Sequence, residues 1–179
     1  MKSEERLLST GVFSPNIIIR AFSASLTHLL PKRFGDRFSV LDRIKLMLRA
    51  FRDYYFYSAE RDRELIAYCF LKRNYLRKYA FLQRNDVLIN PYYVTPEFRG
   101  NGYGGKLLKT AYEDCGTDWT AIWAVVKADN LPSVATLQKM GFQQEGYSAK
   151  SGWTHRLVQS PTNLLVFRKV RQETPEGQE

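Results

Sequence analysis

The stretch VTPEFRGNGYGGKLL, residues 94–108, places four glycines within six residues, directly before a leucine-bearing helical pattern. The first backbone N–H groups of a helix have no partner inside the helix, and they lie at the positive end of its dipole. Glycines let the backbone turn tightly and leave room for phosphate oxygens to approach. Arg99 adds a fixed positive charge. The stretch therefore predicts a pyrophosphate-binding turn, built on Gly100, Gly102, Gly104 and Gly105.

Two well-known phosphate-binding patterns do not fit this stretch. No Gly-Lys-Ser/Thr follows the glycines at the spacing of a Walker loop, and no N-terminal β-α-β unit surrounds them as in dinucleotide-binding folds. A lone glycine cluster is also often only a flexible turn. On these residues alone, that alternative stays open.

The composition is that of a single globular domain of 179 residues, which we expect to span 1–172 with a polar tail at 173–179. No apolar run approaches the roughly 18 residues of a membrane helix, and the N-terminus has no apolar signal region. Neither Cys69 nor Cys115 belongs to a Cys-x-x-Cys pair, and His28 and His155 complete no metal-binding spacing. We therefore expect a reduced cytoplasmic protein with no metal and no membrane partner.

The positive charge is unevenly distributed along the chain. Residues 1–85 contain 17 Lys and Arg against 8 Asp and Glu, so 17 − 8 gives +9, whereas residues 86–179 contain 10 of each. The N-terminal half thus holds the whole net charge of +9. Such a surface attracts anionic molecules, although a solvated basic surface with no partner is the alternative.

The order of predicted elements indicates an α/β (α+β) domain with a mixed sheet. Pro91 should leave its strand bulged or unpaired on one side, and the segment 73–86 is either an insertion or part of a longer strand. Predicted strands cover 16–22, 53–59, 64–72, 87–95, 120–126, 142–149 and 163–170. Predicted helices lie near 23–30 and over 38–52, 104–115 and 129–141.

Two segments resemble a known family. YVTPEFRGNGYGGKLL closely resembles the acetyl-CoA-binding motif of the GNAT family of N-acetyltransferases, Gln/Arg-x-x-Gly-x-Gly/Ala, which Arg99, Gly102 and Gly104 match. NLPSVATLQKMGFQQEG, residues 130–146, is similar to the next helix of that family. Two such segments in the right order are more specific than either alone. The resemblance covers residues 87–147.

The resemblance implies a GNAT-like mixed, mostly antiparallel sheet that is splayed between its fourth and fifth strands and flanked by helices. Those two strands would be 87–95 and 120–126. It also implies acetyl-CoA as co-substrate and no metal. The residues that would bind acetyl-CoA are Tyr93, Val94, Arg99, Gly100, Asn101, Gly102, Tyr103, Gly104, Gly105, Asn130 and Ser133.

The implied chemistry is direct attack of an amine on the thioester. The Val94 N–H would polarise the thioester carbonyl, and a general acid would protonate the leaving thiolate. Many family members place a tyrosine for this purpose where the present chain has Leu137. Besides Val94, the residue that we predict to be catalytic is Tyr147, and His155 and Tyr92 are further candidates for the general acid. For each of these three side chains, a packing or surface role is the alternative.

The resulting functional prediction is an acyl-CoA-dependent N-acyltransferase that acetylates a primary amine of a small molecule. We hypothesise an anionic acceptor such as an amino sugar, because the basic N-terminal half and segment 73–86 usually shape the acceptor side of this fold. Arg73, Arg77 and Lys78 would contact it, and Trp153 would be available for stacking. Alternatives are a protein or peptide N-acetyltransferase, or a catalytically weak nucleic-acid-binding or regulatory module. Nucleic acid is the less favoured partner, and a homodimer is compatible with the sequence.

Overall fold

The computed structural model describes residues 5–10, 17–23, 54–62, 64–73, 78–116 and 118–171. The helix predicted over 38–52, most of the one near 23–30, and the polar tail lie outside these residues. In chain order the strands are β1 (Glu5–Thr10), β2 (Ile17–Ser23), β3 (Tyr54–Arg61), β4 (Glu64–Arg73), β5 (Val87–Val94), β6 (Ala121–Lys127), β7 (Gln143–Ser151), β8 (Thr154–Val158) and β9 (Leu164–Val170). The helices are α1 (Tyr103–Asp114), α2 (Leu131–Lys139) and a 3₁₀ turn (Pro96–Phe98).

Within the described residues, the strands form one sheet in the order β1-β2-β3-β4-β5-β6-β9-β7-β8. Every neighbouring pair is antiparallel except β5 and β6, which are parallel. The predicted mixed, mostly antiparallel sheet is confirmed, and so are all seven predicted strands. The prediction omitted β1 and β8. Both are edge strands, and edge strands carry polar residues that weaken the alternating hydrophobic pattern.

The two helices cover one face of the central sheet. Leu107, Leu108 and Ala111 of α1 are buried in the main core, where they join Ile89 of β5 and Ala124 of β6. The helix predicted over 104–115 is thus confirmed as α1. None of the helices in the described part is long and apolar enough to cross a membrane.

The opposite face of the sheet is covered by the loop at 78–86, whose structure the sequence left ambiguous. Tyr79 is buried there with Leu88 and Trp123, and Phe81 packs on the Trp123 ring at 5.1 Å between centroids. Asp86 anchors the end of the loop, because its carboxylate accepts a 2.8 Å hydrogen bond from Trp123 Nε1. Of the segment 73–86, residue 73 ends β4 and residues 78–86 form the covering loop, whereas 74–77 lie outside the described residues.

The sheet opens between β5 and β6, as predicted. The parallel pairing joins only Val87–Ile89 to Ile122–Ala124 and stops immediately before Asn90. On the other side of β5, the pairing with β4 shifts register between Cys69 and Leu71. The disruption expected at Pro91 is thus confirmed. It leaves the last five residues of β5 without a partner strand on the β6 side.

Candidate functional site

A cleft occupies the opening between β5 and β6. It consists of two adjoining cavities of about 530 Å³ and about 270 Å³. The larger lies over the glycine turn, and the smaller lies between the two strands beneath α2. Both are lined by Tyr92, Asn130, Ser133 and Thr136, so they form one continuous groove.

The backbone of β5 presents free hydrogen-bonding groups to this cleft. Thr95 N donates to Ile66 O at 2.8 Å, and the register pairs Val94 with Ala67 and Tyr93 with Tyr68. In an antiparallel pair, alternate residues direct their N–H and C=O groups at the partner strand. Tyr93 therefore bonds to β4, whereas the N–H groups of Tyr92 and Val94 are directed at the open side. Among the described residues, none accepts a hydrogen bond from the Val94 N–H.

The glycine turn delivers the start of α1 to the larger cavity. Gly102 is the N-cap, with φ 75° and ψ 0°, and Gly100 has φ 79°. This left-handed conformation favours glycine at both positions, although a Cβ would meet no neighbouring atom. The helical ladder begins with Lys106 N donating to Gly102 O at 3.2 Å. The preceding N–H groups, at residues 103–105, have no acceptor within the helix.

Gly104 is required for a different reason, namely close packing of α1 on β5. A Cβ at Gly104 would overlap the Tyr92 hydroxyl and lie 2.9 Å from Val94 Cγ2. At Gly105 a Cβ would make ordinary contacts of 3.7 Å to Thr136 Cγ2 and 4.0 Å to Met140 Sδ. The first turn of α1 therefore rests directly on the strand that forms one wall of the cleft.

The larger cavity is electrostatically positive. Arg99 and Lys139 are among its lining residues, and no carboxylate is, within the part of the chain that the structure describes. Arg99 Nε donates to Val94 O at 3.1 Å, and its guanidinium carbon lies 5.8 Å from the centre of the Tyr93 ring. These contacts hold Arg99 between the glycine turn and the end of β5. Together with the helix dipole, the two cations favour an anionic ligand.

Helix α2 forms the other wall. Asn130 caps it, with Oδ1 accepting from Ser133 N at 3.3 Å. Leu137 is buried and lines the smaller cavity, so the position where the family often has tyrosine does face the cleft. Sequence reasoning missed five residues that line the larger cavity on this wall. Their helical spacing could have revealed them: Pro132, Ala135, Thr136, Lys139 and Met140.

Nearly all predicted acetyl-CoA-binding residues come together here. Ten of them line the larger cavity: Tyr93, Val94, Arg99, Gly100, Gly102, Tyr103, Gly104, Gly105, Asn130 and Ser133. Asn101 does not. Its side-chain amide donates to Phe98 O at 3.4 Å and to Arg99 O at 3.2 Å, so it stabilises the turn from outside.

The three candidates for the general acid occupy different places. Tyr92 lines both cavities, and burial raises the pKa of its phenol, with Cys69 adding to the rise. Tyr147 lies on β7 and lines neither cavity, because β9 stands between β7 and β6. His155 lies on β8, where Nδ1 is 3.0 Å from Ser148 Oγ and the ring packs on Tyr79. The cleft therefore contains Tyr92 but neither of the other two.

Among the described residues, no group of three or more His, Cys, Asp or Glu side chains could hold a metal ion. Cys69 and Cys115 are buried free thiols. Burial raises the pKa of the Cys69 thiol, and Cys115 adds to the rise. Neither cysteine lines either cavity.

The acetyltransferase (GNAT) family model matches residues 23–142 of the chain. The fold is similar to that of a GNAT-family acetyltransferase from Streptococcus pneumoniae (16% identity, TM-score 0.58, covering 87% of this chain and 99% of that one). It is also similar to a variant of the spermidine N-acetyltransferase SpeG from Vibrio cholerae (18%, 0.56, 87% and 94%). A third similar structure is a ribosomal-protein-alanine N-acetyltransferase from Brucella melitensis (20%, 0.55, 84% and 99%). No curated protein matches the chain in sequence.

Proposed function

The chain belongs to the acetyltransferase (GNAT) family, and from this premise we propose that it transfers an acetyl group from acetyl-CoA to a primary amine of a small molecule. The observation that carries the proposal is the cleft beside β5. There, the Val94 N–H is directed at an open groove that ends at the first N–H groups of α1, which have no acceptor within the helix. An unpaired strand edge and a helix start, side by side, suit an extended ligand with amides at one end and phosphates at the other.

The described residues fit acetyl-CoA along this groove. The N–H groups of residues 103–105 would hold the pyrophosphate, with Arg99 and Lys139 supplying positive charge. The backbone of Tyr92 and Val94 would bond to the pantetheine amides as a partner strand does. Asn130 and Ser133 would contact the same arm from the α2 side. Because the Tyr93 backbone bonds to β4, its contribution would come from its side chain.

The reaction joins the amine nitrogen to the acetyl carbon and breaks the carbon–sulfur bond. A hydrogen bond from the Val94 N–H to the carbonyl oxygen would stabilise the negative charge that develops there. No carboxylate or histidine is among the described residues that line the cleft, so we propose that the amine loses its proton to water. We assign protonation of the thiolate to Tyr92 rather than Tyr147, because only Tyr92 lines the cleft.

Comparing Tyr92→Phe with Tyr147→Phe tests this assignment. We expect Tyr92→Phe to lower kcat by about 10-fold, within the range of acid–base effects. The decrease in kcat should be largest at the pH values at which protonation of the thiolate limits the rate. Tyr147→Phe should leave kcat within about two-fold, because its side chain lies outside the cleft. Steady-state kinetics over pH 6–9, with acetyl-CoA affinity measured separately, would check both. The opposite ranking of the two variants would return the role to Tyr147.

Arg99→Gln should weaken acetyl-CoA binding. The substitution removes a charge beside the glycine turn and the bond from Nε to Val94 O, and charge-assisted bonds to phosphate are among the stronger ones. We expect Kd to rise about 10-fold, as measured by calorimetry. The rise in Kd should be smaller for acetyl-pantetheine, which lacks the pyrophosphate. An equal loss for both ligands would contradict a phosphate-binding role for Arg99.

We further propose an anionic acceptor, since the chain has a net charge of +9. The similar structures are named for unlike acceptors, a polyamine and a ribosomal-protein alanine, so the fold does not select one. A panel of matched anionic, neutral and cationic amines, assayed by release of the CoA thiol, would identify the class. A thermal-shift titration with acetyl-CoA should show stabilisation first. Stabilisation without turnover of any amine or peptide would instead favour a regulatory module.

A further inference from the structure

The β7–β8 hairpin ends in an exposed tryptophan. Trp153 lies in the turn between the two strands and is 96% exposed. Its indole offers a large, flat and mostly apolar ring on which a planar ligand could stack. The flanking residues Ser151, Gly152 and Thr154 are small or polar, so Trp153 is a single aromatic platform and not part of an apolar patch.

Two lysines lie beside this hairpin. The loop at 78–80 is bonded to β8, with His155 N donating to Lys78 O at 2.6 Å and Ala80 N donating to His155 O at 2.9 Å. Lys150 is opposite His155 in the β7–β8 register, so their side chains share one face of the hairpin. Burial lowers the pKa of the His155 imidazole, and Lys78 and then Lys150 lower it further. Arg156 is exposed, but its side chain lies on the opposite face, because it directly follows His155 on the strand. We call Lys78, Lys150 and Trp153 the hairpin surface.

Nothing in the sequence around the hairpin surface neutralises these charges. Residues 78–85 and 146–163 contain no Asp or Glu. The two acids that border these segments have other partners: Asp86 accepts from Trp123 Nε1, and Glu145 lies 3.9 Å from Arg168 Nη1. In the described part of the chain, Lys78, Lys150 and Arg156 form no salt bridge.

The hairpin surface is too far from the cleft to contact a small acceptor. In the sheet order, β8 lies three strands beyond β6. Three spacings between neighbouring strands amount to roughly 14 Å. A small amine that reacts beside Val94 would not extend across that distance. The hairpin surface therefore suits a larger anionic partner, and its role does not depend on the acetyl transfer proposed above.

We propose that the hairpin surface binds single-stranded nucleic acid, with a base stacked on Trp153 and phosphates contacting Lys78 and Lys150. Aromatic platforms among cations are the usual basis of such binding. Nucleic acid was the less favoured partner from the sequence alone, but the fold brings Lys78 from the basic half of the chain onto the hairpin. A membrane is a poorer match, because the turn offers no second apolar side chain for insertion. An acidic protein would use the charges and leave the indole without a base to stack on.

The test uses the full chain and a fluorescein-labelled oligouridylate of about 12 nucleotides, followed by fluorescence anisotropy at several salt concentrations. Trp153→Ala should raise Kd about 10-fold, in line with the loss of one stacked base. Lys150→Gln should raise Kd and lower the salt slope by about one, whereas Lys109→Gln, the same change on the exposed face of α1, should do neither. Thermal melts equal to wild type would show that each variant is folded.

Three results would overturn the proposal. The first is unchanged oligouridylate affinity in Trp153→Ala. The second is equal weakening by Lys150→Gln and Lys109→Gln, which would indicate attraction by net charge alone. The third is preferential binding of polyglutamate or of phosphatidylglycerol vesicles, tested at the same salt, which would point to a protein or membrane partner. These experiments measure oligonucleotide binding and not acetyl transfer. A failure of the proposed enzyme function would therefore be detected separately, in the amine assays described above.

Discussion

Gly104→Ala will destabilise the protein and weaken acetyl-CoA binding together. The new Cβ would overlap the Tyr92 hydroxyl and approach Val94 Cγ2 at 2.9 Å. Either α1 must shift away from β5 or the Tyr92 ring must move into the cleft. Overpacking of this kind lowers the free energy of unfolding by about 1–3 kcal/mol. Because the first movement displaces the N–H groups of α1 and the second fills part of the cleft, we expect acetyl-CoA Kd to rise at least about 10-fold.

Gly105→Ala provides the matched control, one residue along the same helix. Its Cβ would make contacts of 3.7 Å and 4.0 Å, neither of which requires movement. Alanine is also a better helix former than glycine by about 1 kcal/mol. The free energy of unfolding of this variant, measured with urea, should therefore equal or exceed that of the wild type. Equal stability of Gly104→Ala and Gly105→Ala would contradict the packing of α1 on β5 described above.

A double-mutant cycle separates the Tyr92 contribution from the rest. Tyr92→Leu removes the hydroxyl and the ring atom that a Cβ at residue 104 would approach at 2.8 Å, but it leaves Val94 Cγ2 in place. The combination of Tyr92→Leu with Gly104→Ala should thus recover part of the lost stability. Interaction energies between contacting residues are typically 0.5–3 kcal/mol. If the two substitutions instead have additive effects on the free energy of unfolding, the destabilisation by Gly104→Ala does not come from its contact with Tyr92.

The features that the sequence predicted correctly are those set by local chemistry. Proline at position 91 lacks an N–H, so a break in the pairing of its strand followed directly from residue type. Asn130 and Pro132 together form a helix start that needs no tertiary information. The glycine turn before α1 is local in the same way. Each of these features lies within a few residues of its cause.

The features that were missed depend on pairings between distant segments. Tyr147 was a reasonable candidate along the chain, but β9 inserts between β7 and β6 and separates it from the cleft. The loop at 78–86 is positioned by a bridge from Tyr79 to His155, which is 76 residues away along the chain. The short strand β8 pairs with β7 on one side and with Tyr79 on the other. None of these relations has a periodicity or spacing that a single sequence displays.

The reaction proposed above depends most on the direction of the Val94 N–H, and a proline substitution can remove this N–H selectively. Because Val94 N–H points away from β4, Val94→Pro would break no bond of the β4–β5 ladder. It also leaves Tyr93 in the extended conformation that precedes proline. Tyr93→Pro, by contrast, would remove a ladder bond, and we expect it to lower the melting temperature instead.

We expect kcat of Val94→Pro to be about 100- to 1,000-fold lower than that of Val94→Ala, as for loss of one oxyanion donor. Val94→Ala is the necessary reference, because Val94 Cγ2 packs near Gly104 and both substitutions lose that contact. Acetyl-CoA Kd should differ less between the two variants than kcat does, since the pyrophosphate contacts remain. Rates within about three-fold of each other, in two folded variants, would mean that the Val94 N–H does not contact the reacting carbonyl. Acetyl transfer would then depend on a different donor, and the Tyr92 N–H, which faces the same opening two residues earlier, would be the next to test.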